Sequence, residues 1–130
     1  MEAGDLLPEI FLLAAGCGLV IDTLLVLNNY RDRTTDHVAG KHTLIVIFGE
    51  RFGSLFYLGQ GIIGCALVSG AFAFNGQWSA MLPLLYIPFH IATWREMVEI
   101  HQGRALNKIL GKTSRNMILL TLLIILAAFL

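Results

Sequence analysis

The chain has 130 residues, 56% of them hydrophobic and only 14% charged, with a formal net charge of zero. Soluble domains carry about 25% charged residues, so this chain has too little polar surface to coat a globule and reads as a polytopic membrane protein. The same residues exclude several chemistries: there is no Cys/His spacing for zinc, no GxxxxGK[ST] phosphate loop, no strand-led GxGxxG and no indication of a nucleic-acid partner.

A membrane helix needs about 20 apolar residues, and four stretches qualify or come close. The first runs from about 6 to 29 and contains Asp22. The second covers about 54–74. The third, about 78–94, is shorter and contains Pro83 and Pro88, which predict a kinked helix whose freed carbonyls find neighbours. The fourth, about 116–130, is marginal in length. Cys17 and Cys65 lie in apolar runs and read as lipid- or helix-facing thiols, not a disulfide. The N-terminus carries Glu2 and Asp5 and no Lys or Arg, so no secretory signal peptide is expected.

The basic residues divide sharply. Arg31, Arg33, Lys41 and Arg51 fall between the first two spans, and Arg95, Arg104, Lys108, Lys112 and Arg115 between the last two, which accounts for all nine. By the positive-inside rule both loops are expected on the cytoplasmic side, with both chain ends and the Asn75-Gly76-Gln77 turn outside. Trp78 and Trp94 flank the third span as interfacial anchors. The two loops, roughly 24 and 21 residues long, are long enough to be functional, and stretches such as Glu96-Met97-Val98-Glu99-Ile100 predict short surface helices there.

A polar stripe leads into the first of these loops. If the first helix continues to about Asp36, at 100° per residue with Asp22 at 0°, Asn29 falls near 340°, Asp36 near 320°, Asp32 near 280° and Asn28 near 240°. Asp32 and Asp36 are i,i+4 neighbours whose oxygens can converge, and Mg²⁺ takes one or two carboxylates together with substrate phosphates and water. A solvated helix end would carry the same acidic pair. Asp22 costs about 2.5–3.5 kcal/mol in mid-span on insertion scales, so it faces either a polar chamber or a hydrogen-bonding neighbour. Arg31, at about 180°, faces away from Asp22 and is expected to brace the loop or meet lipid headgroups. His90 reads as a structural histidine.

Asn28-Asn29-x-Arg31-Asp32-x-x-x-Asp36-x-x-x-Gly40-Lys41-x-Thr43-Leu44, closed by Gly49, resembles the second aspartate-rich motif of the UbiA superfamily of intramembrane prenyltransferases. The double Asn and the Arg-Asp pair resemble its 1,4-dihydroxy-2-naphthoate polyprenyltransferase branch (MenA) of menaquinone synthesis. Gly103-Arg104-Ala105-Leu106-Asn107, with Leu110-Gly111-x-Thr113, is similar to a late loop of that branch. The resemblance implies an all-α bundle of nine membrane helices, of which these four match the last four. It implies Mg²⁺, a polyprenyl diphosphate donor and 1,4-dihydroxy-2-naphthoate as acceptor. By matching positions, Asp32 and Asp36 are the implied metal carboxylates. Asn28, Asn29, Lys41, Asn107 and Thr113 are the implied substrate-binding residues, and Asp22 a catalytic group near the acceptor or the allylic cation.

One departure is large: the family's first aspartate-rich motif, of the NDxxDxxxD type, is missing, as are the helices that would carry it. The chain is therefore expected to be the C-terminal part of such an enzyme and inactive without the N-terminal helices. Two other classes compete, a non-catalytic helical membrane subunit and a transporter fragment using Asp22 as a coupling carboxylate. CDP-alcohol phosphotransferases fit worse, because their DG…AR elements before the aspartate pair are absent.

Overall fold

The computed structural model describes residues 3–73 and 78–129, and every regular element among them is helical. Helix α1 (Ala3–Arg31) is followed by two short helices, α2 (Arg33–Val38) and α3 (Leu44–Phe48). Then come α4 (Glu50–Ala73), 3₁₀ turns at Trp78–Met81 and Pro83–Leu85, α5 (Tyr86–Ile100) and α6 (Leu106–Phe129). Three described helices are long and apolar enough to cross a membrane: Pro8–Arg31 within α1, Glu50–Ala73 and Leu106–Phe129. The protein is an all-α integral membrane bundle.

The third expected span differs from its sequence reading. It is two 3₁₀ turns leading into a 15-residue α-helix, not one kinked helix. The prolines are the reason. Pro83 opens the second 3₁₀ turn, and Pro88 sits in the first turn of α5, where a missing N–H costs nothing. The prolines thus decide where α5 begins. The Glu96–Ile100 stretch is the end of α5 and not a separate surface helix. Helix α6 starts at Leu106, ten residues before the expected 116, because polar residues such as Asn107 and Lys108 extend a helix as readily as they border one. The Asn75-Gly76-Gln77 turn and the side chain of Trp78 lie outside the described residues.

Lipid supplies no hydrophobic drive between helices, so close backbone approach and polar side chains must hold them. The α1–α4 seam uses the first device. A Cβ on Gly16 would lie 2.5 Å from the Gly64 carbonyl oxygen, and one on Gly64 would lie 2.7 Å from that of Gly16. Towards the other end of the seam, Gln60 Nε2 donates to Asp22 Oδ2 at 2.8 Å and Tyr30 Oη donates to Glu50 Oε1 at 3.2 Å. The pairing 16 with 64, 22 with 60 and 30 with 50 makes the two helices antiparallel.

The α4–α5–α6 side uses the second device. His90 is buried, lies between the rings of Tyr57 and Tyr86 at 4.8 and 5.3 Å, and bonds Tyr86 Oη through Nδ1 and the Tyr57 carbonyl through Nε2. That is the structural role read from the sequence. Tyr57 Oη meets Thr113 Oγ1 at 2.7 Å, and Asn116 Nδ2 donates to Thr93 Oγ1 at 2.8 Å. Trp94 is half-buried, its indole N–H donating to the Ser54 carbonyl at 3.0 Å, so it pins α5 to α4. Such membrane hydrogen bonds contribute about 0.6 kcal/mol each on average. Cys17 and Cys65 are both free thiols, and Cys65 Sγ donates to the Pro83 carbonyl.

Replacing Gly16 or Gly64 by Leu forces α1 off α4 and should cost about 1–3 kcal/mol by overpacking. Gly18→Leu is the control, since nothing lies within 4 Å of a Cβ there. Thermal unfolding in detergent should show the midpoint lowered in the first two variants and unchanged in the third.

Candidate functional site

The contacts between helices gather the polar chemistry into one half of the bundle. Arg31 Nη1 donates to Asn107 Oδ1 at 2.9 Å, joining the end of α1 to the start of α6. Arg33 Nη2 donates to the His101 carbonyl, lies 3.4 Å from Glu50 Oε1 and stacks its guanidinium 4.4 Å from the Tyr30 ring centroid. Lys112 Nζ donates to both oxygens of Glu96 at 2.6 and 2.5 Å, joining α6 to α5. The end of α1, the start of α4, the end of α5 and the start of α6 therefore lie together, and with them the nine Lys and Arg residues.

The stripe does not stay on one straight helix. Asp32 leaves α-geometry at φ −91°, ψ 4°, and caps α2 without a side-chain capping bond. The reason is local: Arg31 turns back on its neighbour, with Nε donating to Oδ1 at 2.9 Å and Nη2 to Oδ2 at 3.3 Å. This pairing holds the Asp32 carboxyl below the usual carboxylate range, with a smaller contribution from the charge of Lys41. Of the two expectations for Arg31, bracing the loop is the one the contacts match: it touches both Asp32 and Asn107.

Four of the eight expected site residues, Asp22, Asn29, Asp32 and Asn107, line two cavities. One, of about 260 Å³, is lined by Asp22, Val26, Asn29, Thr43 and Phe56 among others. The other, of about 330 Å³, is lined by Arg31, Asp32, Thr35, Gly103, Arg104 and Asn107. Asn28 and Asp36 are half-buried between these regions, and Lys41 is exposed in the turn after α2. Thr43 caps α3, its Oγ1 accepting from the Val46 N–H at 3.2 Å. Thr113 is placed elsewhere. It is 1% exposed and spends its hydroxyl on Tyr57 of α4, so its geometry is that of a packing residue and not of a substrate contact.

Among the described residues no three His, Cys, Asp or Glu side chains come together to hold a metal ion. Mg²⁺ takes one or two carboxylates from protein when phosphates and water complete its shell; of the expected pair, Asp32 has both oxygens engaged by Arg31 and Asp36 lines neither cavity. Asp32 can serve only as Arg31 shares or releases it. A further, apolar groove of about 440 Å³ between α1 and α6 is lined by Cys17, Val20, Ile21, Met117 and Ile118 among others.

Over its whole length the chain is 30% identical to the 1,4-dihydroxy-2-naphthoate octaprenyltransferase of Escherichia coli (strain K12). This chain is similar to a naphthoate prenyltransferase. It spans 42% of that protein's length, as a fragment of such an enzyme would. The resemblance to a 1,4-dihydroxy-2-naphthoate prenyltransferase expected from the sequence is borne out. No family model matches the chain, and no solved structure does.

Three polar residues of this end escaped the sequence reading as site candidates. Gln60 had a signal, as the lone amide in an otherwise apolar second span, at the depth where Asp22 needs a donor. Arg31 escaped because a straight wheel ignores both the break at Asp32 and the reach of a guanidinium. Arg104 carried no signal beyond its loop, since its approach to Arg31 depends on how α5 turns into α6. That turn is tight: His101 caps α5 in the left-handed region at φ 52°, and Gly103 follows at φ 91°.

The Glu96–Lys112 pair gives a pH dependence. Lys112 holds the Glu96 carboxyl below its ordinary value. Its stabilisation of α5 against α6 is therefore complete above the unfolded carboxyl's pKa and is lost as pH falls through the lower folded value. Thermal midpoints taken from about pH 6 down to about pH 3 should fall less steeply in Glu96→Gln than in the parent.

Proposed function

We propose that this chain is the C-terminal part of a Mg²⁺-dependent prenyltransferase of the UbiA superfamily. In this reading it transfers a polyprenyl group from polyprenyl diphosphate to 1,4-dihydroxy-2-naphthoate in menaquinone biosynthesis. It sits in a bacterial cytoplasmic membrane with its charged end on the cytoplasmic side, and needs the N-terminal helices with the first aspartate-rich motif to act. The observation that carries this reading is the similarity, over the whole chain, to an enzyme of that name. The gathering of Asp32, Asn107 and Arg31 at one end of an apolar bundle supports it.

The chemistry follows from the residues. Asp32 and Asp36 would hold Mg²⁺, which when bound offsets the charge that grows on the leaving diphosphate. Asn28 and Asn29 have side-chain amides free to orient phosphate oxygens. Lys41, close enough to lower the Asp32 pKa, adds a mobile positive charge at the same lip. Asp22, held by Gln60 and facing the smaller cavity, presents a fixed negative group about two turns deeper into the membrane, where an acceptor hydroxyl or an allylic cation would lie. The apolar groove between α1 and α6 offers one wall for the isoprenoid tail and keeps water away from the reacting carbon.

Co-expression with the unmatched portion of the Escherichia coli enzyme, followed by assay of naphthoate prenylation in membranes, tests this. Product should form with Mg²⁺ and stop with chelator, and Asp32→Ala or Asp36→Ala should lower the rate by about 10²-fold or more. Absence of product although both parts accumulate and associate, or full activity in the alanine variants, would favour a non-catalytic subunit. Ion-dependent flux requiring Asp22 would favour a transporter piece.

A further inference from the structure

We infer that Arg31, Arg104 and Asn107 form an oxyanion-binding subsite, separate from the cavity that Asp22 lines. It takes a carboxylate or phosphate group at the charged end of the bundle. The lining contains two guanidiniums and one carboxylate, Asp32, so the cavity carries a formal charge of 2 − 1 = +1. The carboxylate is already engaged on both oxygens by Arg31. Arg104, which lines the cavity, has no ion-pair or hydrogen-bond partner for its side chain among the described residues.

Donors outnumber acceptors. Asn107 gives its carbonyl oxygen to Arg31, which fixes the amide and leaves Nδ2 with two free N–H groups. Arg31 uses Nε, one N–H of Nη1 and one of Nη2 on Asp32 and Asn107, leaving one N–H on each terminal nitrogen. The Thr35 hydroxyl is turned to the Asp32 carbonyl at 2.9 Å and offers lone pairs only. A concavity that is net positive, rich in planar N–H donors and about 330 Å³ in volume suits an oxyanion far better than a cation. The cavity lined by Asp22 and Asn29 has the opposite character, with a formal carboxylate and no Lys or Arg in its lining. The end of the bundle therefore separates an anion-accepting pocket, on the α1–α6 side, from an acidic one facing α3 and α4.

The geometry that builds the pocket is specific. Asn107 is the second residue of α6, and Arg31 reaches it only because α1 stops there. Arg104 is delivered by the turn that Gly103 permits. A group bound here through the two free N–H of Arg31 would share that guanidinium with Asp32, so occupancy of the pocket and the charge on Asp32 are linked.

Two sources share this chemistry: the carboxylate of an aromatic acid such as a naphthoate, and the phosphate of a diphosphate. The choice of probes rests on the function proposed above; the existence of the pocket does not. The test uses the full chain in a sugar-headed detergent free of phosphate. It is titrated with 1,4-dihydroxy-2-naphthoate, with the neutral 1,4-naphthalenediol and with inorganic pyrophosphate, by calorimetry. Arg104→Gln and Asn107→Ala should each weaken at least one anion by roughly tenfold or more, as loss of a charge-assisted bond does, and leave the diol unchanged. Loss confined to naphthoate assigns the pocket to a carboxylate, and loss confined to pyrophosphate assigns it to a phosphate. Arg104→Lys should restore part of the affinity, and unchanged thermal midpoints separate lost binding from lost folding. The inference falls if neither anion binds the parent chain, or if both bind Arg104→Gln and Asn107→Ala as tightly as the parent. A failed prenylation assay together with intact anion discrimination would overturn the proposed reaction and leave the pocket standing.

Discussion

The α1–α4 seam is the constraint on which the rest of the bundle depends. At Gly16 and Gly64 the two backbones approach until each carbonyl occupies the space of the other's missing side chain. That contact needs no water to drive it, which matters in a solvent as apolar as leucine. It also sets the register. With Gly16 against Gly64, Asp22 meets Gln60 and Tyr30 meets Glu50 and Gly53, where a Cβ would lie 3.1 Å from the Tyr30 ring. A slip of one residue along α4 would strand the Asp22 carboxylate among aliphatic neighbours, and the cost of that exposure in a membrane keeps the register single.

Once α1 is fixed, the charged end assembles from its last turn. Arg33 reaches the His101 carbonyl, Glu50 and the Tyr30 ring, so one side chain ties α2 to the starts and ends of its neighbours. Arg31 reaches across to Asn107. These are the long, planar donors suited to several acceptors at once. They stand where a helix leaves the hydrocarbon, where guanidinium desolvation is modest. Just inside these charges, uncharged pairs join α6 to its neighbours, Asn116 with Thr93 and Tyr57 with Thr113.

This division places chemistry at one lip of the membrane and shelter behind it. The cavities at the charged end differ in sign, and a separate apolar groove lies between α1 and α6. The pairing of Asp32 with Arg31 gives the lip a reserve of charge that neither residue shows in the other's absence. The carboxylate is kept ionised and low in pKa, while the guanidinium retains two N–H groups for an incoming anion.

The sequence by itself determined the class of the protein, the apolar spans around α1, α4 and α6, the gathering of cations and the stretch from Asn28 to Gly49 that carries the family resemblance. Those features are local sums of transfer energy and charge, and they survive whatever the chain does in three dimensions. It also marked Asp22 as needing a partner, since the cost of a mid-span carboxylate does not depend on the fold. Only the tertiary structure decided which partner that is, that α1 breaks at Asp32, that Arg31 turns into the site and that Thr113 is spent on Tyr57. It likewise decided that Pro83 and Pro88 start a helix instead of bending one. Each of these outcomes depends on the distance between residues far apart in the chain, or on a break that a straight helical wheel cannot contain. Long side chains such as Arg31 and Arg104 take their direction from whatever lies within reach, and that is a property of the packed helices.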